Sequence, residues 1–184
     1  MVSYCRIVVV ILVAVGLCLS MIAPSTAEEK TVKAKFAKGQ VSREMATPKT
    51  FTPSVKEFLQ RPLASQLTTI NPNGSPQVTV MWFQQEDGAL LFTTTTDRIK
   101  FRNMQKDTRA VFSVVDPTNM YKWVVVHGKL SVDDRDPAAF YRGLAEHYLD
   151  GDALAEWKKR TVMDKRTVLK LTPTRIRTMG FPAE

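Results

Sequence analysis

The sequence predicts a mainly β, α+β domain, an antiparallel barrel of six to seven strands with a few short flanking helices. Three observations carry this reading. Short β-type runs recur along residues 64–179, several of them ended by Asn, Asp, Gly or Pro turn residues. The runs do not alternate regularly with helices, which disfavours a doubly wound parallel sheet. In 77–83, Val78, Val80 and Trp82 share one face while Gln77, Thr79 and Met81 share the other, the two-residue period of a half-buried strand.

The domain is expected to span 51–184, after a signal peptide at 1–27 and a flexible linker at 28–50. In the first segment Arg6 precedes the apolar run Ile7 to Leu19, and Ser25-Thr26-Ala27 supplies a small-x-small cleavage site. The apolar run is short for a membrane span, so export is expected, with membrane attachment only if this segment stays uncleaved. A start at Met45 would instead leave a complete domain in the cytoplasm. The linker is polar and lysine-rich, without apolar periodicity. Both cysteines, Cys5 and Cys18, lie in the first segment, so the exported chain has neither a disulfide nor a thiolate metal site. Its stability must come from packing, which a single domain of this length can supply.

Thr52-Pro53 starts a helix over Ser54 to Gln60, with a capping hydroxyl and then proline at the first helical position. Strands are expected at Ala64 to Ile70 and Gln77 to Phe83, joined by Asn71-Pro72-Asn73-Gly74 as a hairpin. Asn73-Gly74-Ser75 also fits the glycosylation sequon. Asp87-Gly88 turns the chain into Ala89 to Thr95, and strands return at Ala110 to Val115 and Lys122 to Val132. Asp136-Pro137 opens a helix towards Tyr148, with Phe140, Leu144 and Tyr148 forming an apolar stripe. A further helix at Ala153 to Lys159 and short strands at Thr167 to Leu171 and Arg175 to Met179 complete the domain.

The segment Phe92 to Asn103, FTTTTDRIKFRN, stands apart from this frame. A strand stops near Asp97 and a helix starts with Arg98 and Lys100 in its first turn. A helix N-terminus carries about half a positive charge and favours acids there. Exposed N–H groups, the dipole and two cations together suit a phosphate. A solvated basic helix capped by Asp97 is the competing reading.

Net charge is +8, but the cations are dispersed and no aromatic-interleaved basic motif occurs, so nucleic-acid binding is not expected. The chain has no G-x-G-x-x-G, Walker loop, H-E-x-x-H or G-x-S-x-G. His127 and His147 have no ligand pattern around them, and Asp133, Asp134 and Asp136 read as a turn and a cap. No catalytic residue and no metal site are assigned. Without a nucleophile, metal set or acid-base pair, chemistry would have to come from a bound redox cofactor.

The order of parts, with LASQLTTINPNGSPQVTVMWF, then LLFTTTTDRIKFRNMQKDTRAVFSVVD, then WVVVHGKLSV, resembles the pyridoxamine 5′-phosphate oxidase-like split-barrel superfamily, and within it the branch that uses the deazaflavin coenzyme F420. The resemblance implies a split barrel in which Arg98 and Lys100 pair with the cofactor phosphate and Asn103 adds a hydrogen bond or fixes the loop. It places Gln77, Thr79, Thr93 and Thr94 beside the ring and ribityl chain. It further implies a homodimer in which the partner completes each site, near Tyr121 to Trp123 or through the C-terminal helices. The implied function is an oxidoreductase passing hydride from reduced F420 to a small organic acceptor, with FMN as the alternative cofactor. An exported, non-enzymatic flavin or haem binder is the second class, with His127 and His147 as the histidine candidates for haem. Asp107-Thr108 replaces the family's usual Asp-Pro, a small loss of turn rigidity.

Overall fold

A computed structural model describes residues 48–182 of the chain. The expected signal peptide and nearly all of the expected linker lie outside the described residues. Local sequence signals set most of the elements. Thr52 caps α1 (Pro53–Leu59), its hydroxyl accepting from the Val55 N–H at 3.4 Å, with proline in the first turn. Strands β1 (Ser65–Ile70) and β2 (Pro76–Met81) form the expected hairpin, whose turn places Gly74 at φ 83°. Asn73 accepts from the N–H and hydroxyl of Ser75 within that turn.

Beyond β2 the chain departs from expectation. The second run ends at Met81, and a separate short strand β3 (Gln84–Glu86) pairs with β4 (Ala89–Thr95) across the Asp87-Gly88 turn. Helix α2 (Ile99–Lys106) leads to β5 (Arg109–Asp116) and the long β6 (Asn119–Asp133). Helices α3 (Pro137–Tyr148) and α4 (Gly151–Arg160) precede β7 (Arg166–Met179). Asp136 caps α3 through the Ala138 N–H at 2.9 Å, and Asp133 pairs with Arg135 at 2.6 Å, so these acids serve local structure.

β7 is one strand where the sequence suggests two. Thr172-Pro173-Thr174 reads as a break, yet β6 carries the ladder past it through a register shift, pairing His127 with Arg175 and Gly128 with Pro173. This leaves Thr174 as the extra residue of a bulge, and its hydroxyl donates to the His127 carbonyl at 3.1 Å. Gly128 is needed at this crossing, because a Cβ there would lie 2.4 Å from the Thr172 carbonyl oxygen.

All seven strands form one antiparallel sheet in the order β2-β1-β5-β6-β7-β4-β3. It curls into a half-barrel, and with the four described helices gives the α+β split barrel. The concave face holds the main core, including Leu67, Phe83, Phe92, Phe112, Val126 and Leu169. Phe112 meets Phe83 edge-on at 4.9 Å and Phe92 at 5.9 Å, joining β4, β5 and the β2–β3 connection through one aromatic group. A smaller cluster of Leu91, Phe140, Leu144 and Val168 seats α3 on the convex face of β4 and β7. Phe140 and Leu144 therefore pack as the sequence stripe implied, and Tyr148 stacks on Trp82 at 5.2 Å.

Candidate cofactor-binding site

The site is built where β4 hands the chain to α2. Asp97 does not cap this helix. Its carboxylate accepts the Thr95 hydroxyl, and that bond, helped by Lys165 and Arg98, holds its pKa below the usual carboxylate value. Arg98 stands at the N-cap in extended conformation, with φ −77° and ψ 149°, and no side chain caps the helix. The positive end of α2 is therefore left open, with no acid in its first turn.

Lys100 lies in that first turn and is only 9% exposed. Among the described residues it makes no ion pair. Burial, and then the neighbouring charge of Arg98, push its pKa below the ordinary lysine value. A lysine buried to this extent beside another cation is unfavourable unless an anion joins it. Arg98 itself is exposed. Two cations at an uncapped helix start fit a phosphate group in sign and in donor chemistry.

Asn103, 2% exposed, sits one turn further along and does not point its amide nitrogen at an open site. It donates to Thr69 Oγ1 at 3.1 Å and Asn71 Oδ1 at 2.9 Å, tying α2 to β1 and its turn. Thr69 in turn donates to Gln77 Oε1 at 3.2 Å, and Gln77 Nε2 donates to Thr79 Oγ1 at 2.8 Å. Asn103, Thr69, Gln77 and Thr79 thus form one polar chain across α2, β1 and β2. Gln77 and Thr79 share the concave side, opposite Thr69 and Leu67, which leaves Val78 and Val80 on the convex side at 54% and 68% exposure.

Thr93 and Thr94 cannot face one ligand together, because neighbours on a strand point to opposite sides. Thr94 is 4% exposed on the side of Phe92, and its buried hydroxyl has no hydrogen-bond partner. Thr93 is on the convex side and accepts from Arg166 Nη1 at 3.3 Å. The Arg166 guanidinium lies 3.5 Å above the centre of the Tyr141 ring. The structure therefore groups the seven expected residues into Arg98 with Lys100, an interior network of Asn103, Gln77 and Thr79, buried Thr94, and Thr93 beside Arg166.

Two residues of this neighbourhood escape the sequence reading. Thr69 has a partial signal, since a polar residue alternating in phase with Leu67 should face inward and needs a partner there. Arg166 has none, being one cation among many until β4 and β7 pair. Among the described residues no group of three His, Cys, Asp or Glu side chains could hold a metal ion. His127 on β6 is half-buried, and burial together with Arg175 and Arg177 pushes its pKa down. His147 lies on α3 with its ring edge-on to Tyr148 at 5.3 Å.

A half-barrel whose strand β4 runs into an open, cation-bearing helix start defines a split-barrel protein with a candidate site for an anionic cofactor. The chain belongs to the pyridoxamine 5′-phosphate oxidase family, whose model matches residues 51–180. Among solved structures, it is similar to an F420 reductase at 32% identity, with a TM-score of 0.56 over 69% of this chain and 98% of that one. A conserved hypothetical protein from Mycobacterium tuberculosis shares 22% identity and a TM-score of 0.58, over 78% and 96% of the two chains. A haem storage protein from Vibrio cholerae shares the fold at 19% identity and a TM-score of 0.53, over 72% and 96%. No curated protein matches the chain.

Proposed function

We propose that this protein is a cofactor-dependent oxidoreductase that uses reduced deazaflavin coenzyme F420 to reduce a small, conjugated or quinone-like acceptor, with FMN as the alternative cofactor. The observation that carries the reading is Lys100, nine-tenths buried in the first turn of an uncapped helix with no ion-pair partner among the described residues. The family and the likeness to an F420 reductase at 32% identity support a flavin-type cofactor and this branch.

When bound, the cofactor supplies the hydride chemistry. The chain's own residues hold and orient. Arg98 and Lys100 hold the phosphate by charge-assisted hydrogen bonds, joined by the open N–H groups of α2. Asn103 acts through position, since its bonds to Thr69 and Asn71 fix α2 against β1. Gln77 and Thr79, expected beside the ring and ribityl chain, are held by the same network, which fixes their side chains relative to α2. Thr93 presents its hydroxyl on the convex side, oriented by Arg166. No side chain is given a proton-transfer or nucleophilic role.

The protein is proposed to be an exported homodimer. Arg6, the apolar run to Leu19 and the Ser25-Thr26-Ala27 site support export. The exposed apolar side chains Val78 and Val80 on edge strand β2, with Val115, Met120, Tyr121 and Met179, support a second copy as the partner.

A second reading, an exported haem carrier, is favoured by His127, whose burial and cationic neighbours keep the imidazole in the neutral form that ligates iron. Titrating the protein with F420, FMN and haem, followed by absorbance and fluorescence, tests both. Saturable binding of F420 or FMN that weakens in Arg98→Ala and Lys100→Ala is the expected result. A haem spectrum lost in His127→Ala, with no flavin or deazaflavin binding, would replace it by the second reading.

A further inference from the structure

Arg166 opens β7, next to Thr95 of β4 in the ladder, so it emerges from the sheet close to the start of α2. Its guanidinium is fixed from two sides. The Tyr141 ring of α3 lies under it at 3.5 Å, and Nη1 reaches Thr93 Oγ1 at 3.3 Å. Its Nε is buried and has no hydrogen-bond partner. No carboxylate pairs with it among the described residues; burial disfavours its charged form, the Tyr141 hydroxyl favours it, and Arg98 is the neighbouring cation that opposes it.

This is an unusual way to place an arginine. An aromatic face satisfies one side of the plane, but guanidinium donors lie in the plane and point at its edge. A buried Nε–H without an acceptor, beside a second cation, leaves both a hydrogen bond and a charge uncompensated. Lys100 shows the same imbalance, since its pKa is depressed by burial and by that same neighbour. One anion placed among the three would relieve them all. Tyr141 is itself held, with Trp157 of α4 against its ring edge at 4.8 Å, so the guanidinium rests on a fixed platform.

Resting on the phosphate reading above, we propose that Arg166 is a third cationic contact to the cofactor's phosphate end, held in place by Tyr141 and joining the phosphate site to Thr93. A fork held edge-on by stacking offers directional donors, whereas Lys100 offers a point charge. Arg166 thus sets the orientation of the phosphate as well as its affinity.

The test is the phosphate increment, the ratio of the dissociation constants of riboflavin and FMN. If the protein binds F420 and not FMN, the ratio is taken between F420 and its phosphate-free chromophore. Arg166→Gln is expected to shrink this ratio about tenfold, the scale of one charge-assisted hydrogen bond, with binding of the phosphate-free chromophore changed less than about twofold. Arg166→Lys, which keeps the charge and the stem, is expected to recover part of the ratio and serves if Arg166→Gln does not fold. A loose fold would weaken both chromophores equally, and that result overturns the inference. So does an unchanged ratio in the Arg166 variants while Arg98→Gln collapses it, an outcome that leaves the phosphate reading standing. Failure of the wild type to bind any of these phosphates, or an unchanged ratio in Arg98→Gln, overturns the phosphate reading and this inference together.

Discussion

Replacing Lys100 by Met separates a binding role from a structural one, because the two predict opposite signs. The substitution keeps the apolar stem and removes the ammonium. A unit charge facing a phosphate oxygen at about 4 Å feels a gross attraction of about 4 kcal/mol at an effective dielectric of about 20. Desolvation and repulsion from Arg98 take back part of this, leaving about 1.5–3 kcal/mol, the range of hydrogen bonds to charged groups. Cofactor affinity should therefore fall by about ten- to a hundredfold. The ligand-free protein should behave the other way. Burial, then Arg98, lower the folded-state pKa of Lys100, so the unfolded chain binds this proton more tightly. The resulting penalty is absent above the unfolded value of 10.5, develops as pH falls from there towards the folded value, and is complete below it. Lys100→Met should then leave the ligand-free melting temperature at pH 7 unchanged or higher. Fluorescence titration at fixed ionic strength gives the affinity, and thermal melts of ligand-free protein give the stability. A melting temperature lowered by several degrees with unchanged cofactor affinity would refute the reasoning and make Lys100 a structural residue.

Other changes report on the frame around the site. Asn103→Ala removes two hydrogen bonds and leaves Thr69 only its bond to Gln77, so it should destabilise the fold by about 1–3 kcal/mol in denaturant melts and weaken the cofactor by displacing α2. Gly128→Ala should cost at least the upper part of the overpacking range of about 1–3 kcal/mol, because the new Cβ would meet the Thr172 carbonyl oxygen at 2.4 Å, and urea titration measures it. Tyr148 is pushed up to about 12 by burial, with its hydroxyl donating to the Leu63 carbonyl at 3.0 Å. Its neutral form is the one the fold favours, so this stabilisation holds below pH 10 and is lost as pH rises from 10 through 12. Discounted for partial exposure, the loss is about 1–2 kcal/mol and should be missing in Tyr148→Phe when melts are compared across that window. Val80→Asp puts a charge on the exposed apolar face of β2 and should shift a dimer to monomer in light scattering, while an unchanged dimer would move the interface elsewhere.

Much of this architecture is legible locally. Thr52-Pro53, Asp136-Pro137, the Asn71 to Gly74 turn and Asp87-Gly88 state their elements through capping and turn chemistry, which depends only on neighbouring residues. The reading fails where pairing at a distance decides. Pro173 looks like a strand end, but β6 supplies a partner on both sides of it and a bulge absorbs the mismatch. Asp97 looks like a helix cap, yet Thr95 takes its carboxylate and the helix starts uncapped. That outcome strengthens the anion site, because the competing reading required the cap.

The sequence by itself determined the fold class, most of the elements and the cationic start of α2, since periodicity, turn residues and charge are properties of short segments. Tertiary structure alone decided which of those cations lack a counter-charge. Burial made Lys100 costly, and the pairing of β4 with β7 brought Arg166 beside Thr93 and Arg98. It also divided Thr93 from Thr94 and joined Asn103 to Gln77 through Thr69. The physical reason is that solvation and partnership belong to a place in the fold, and residues far apart in the chain create that place together.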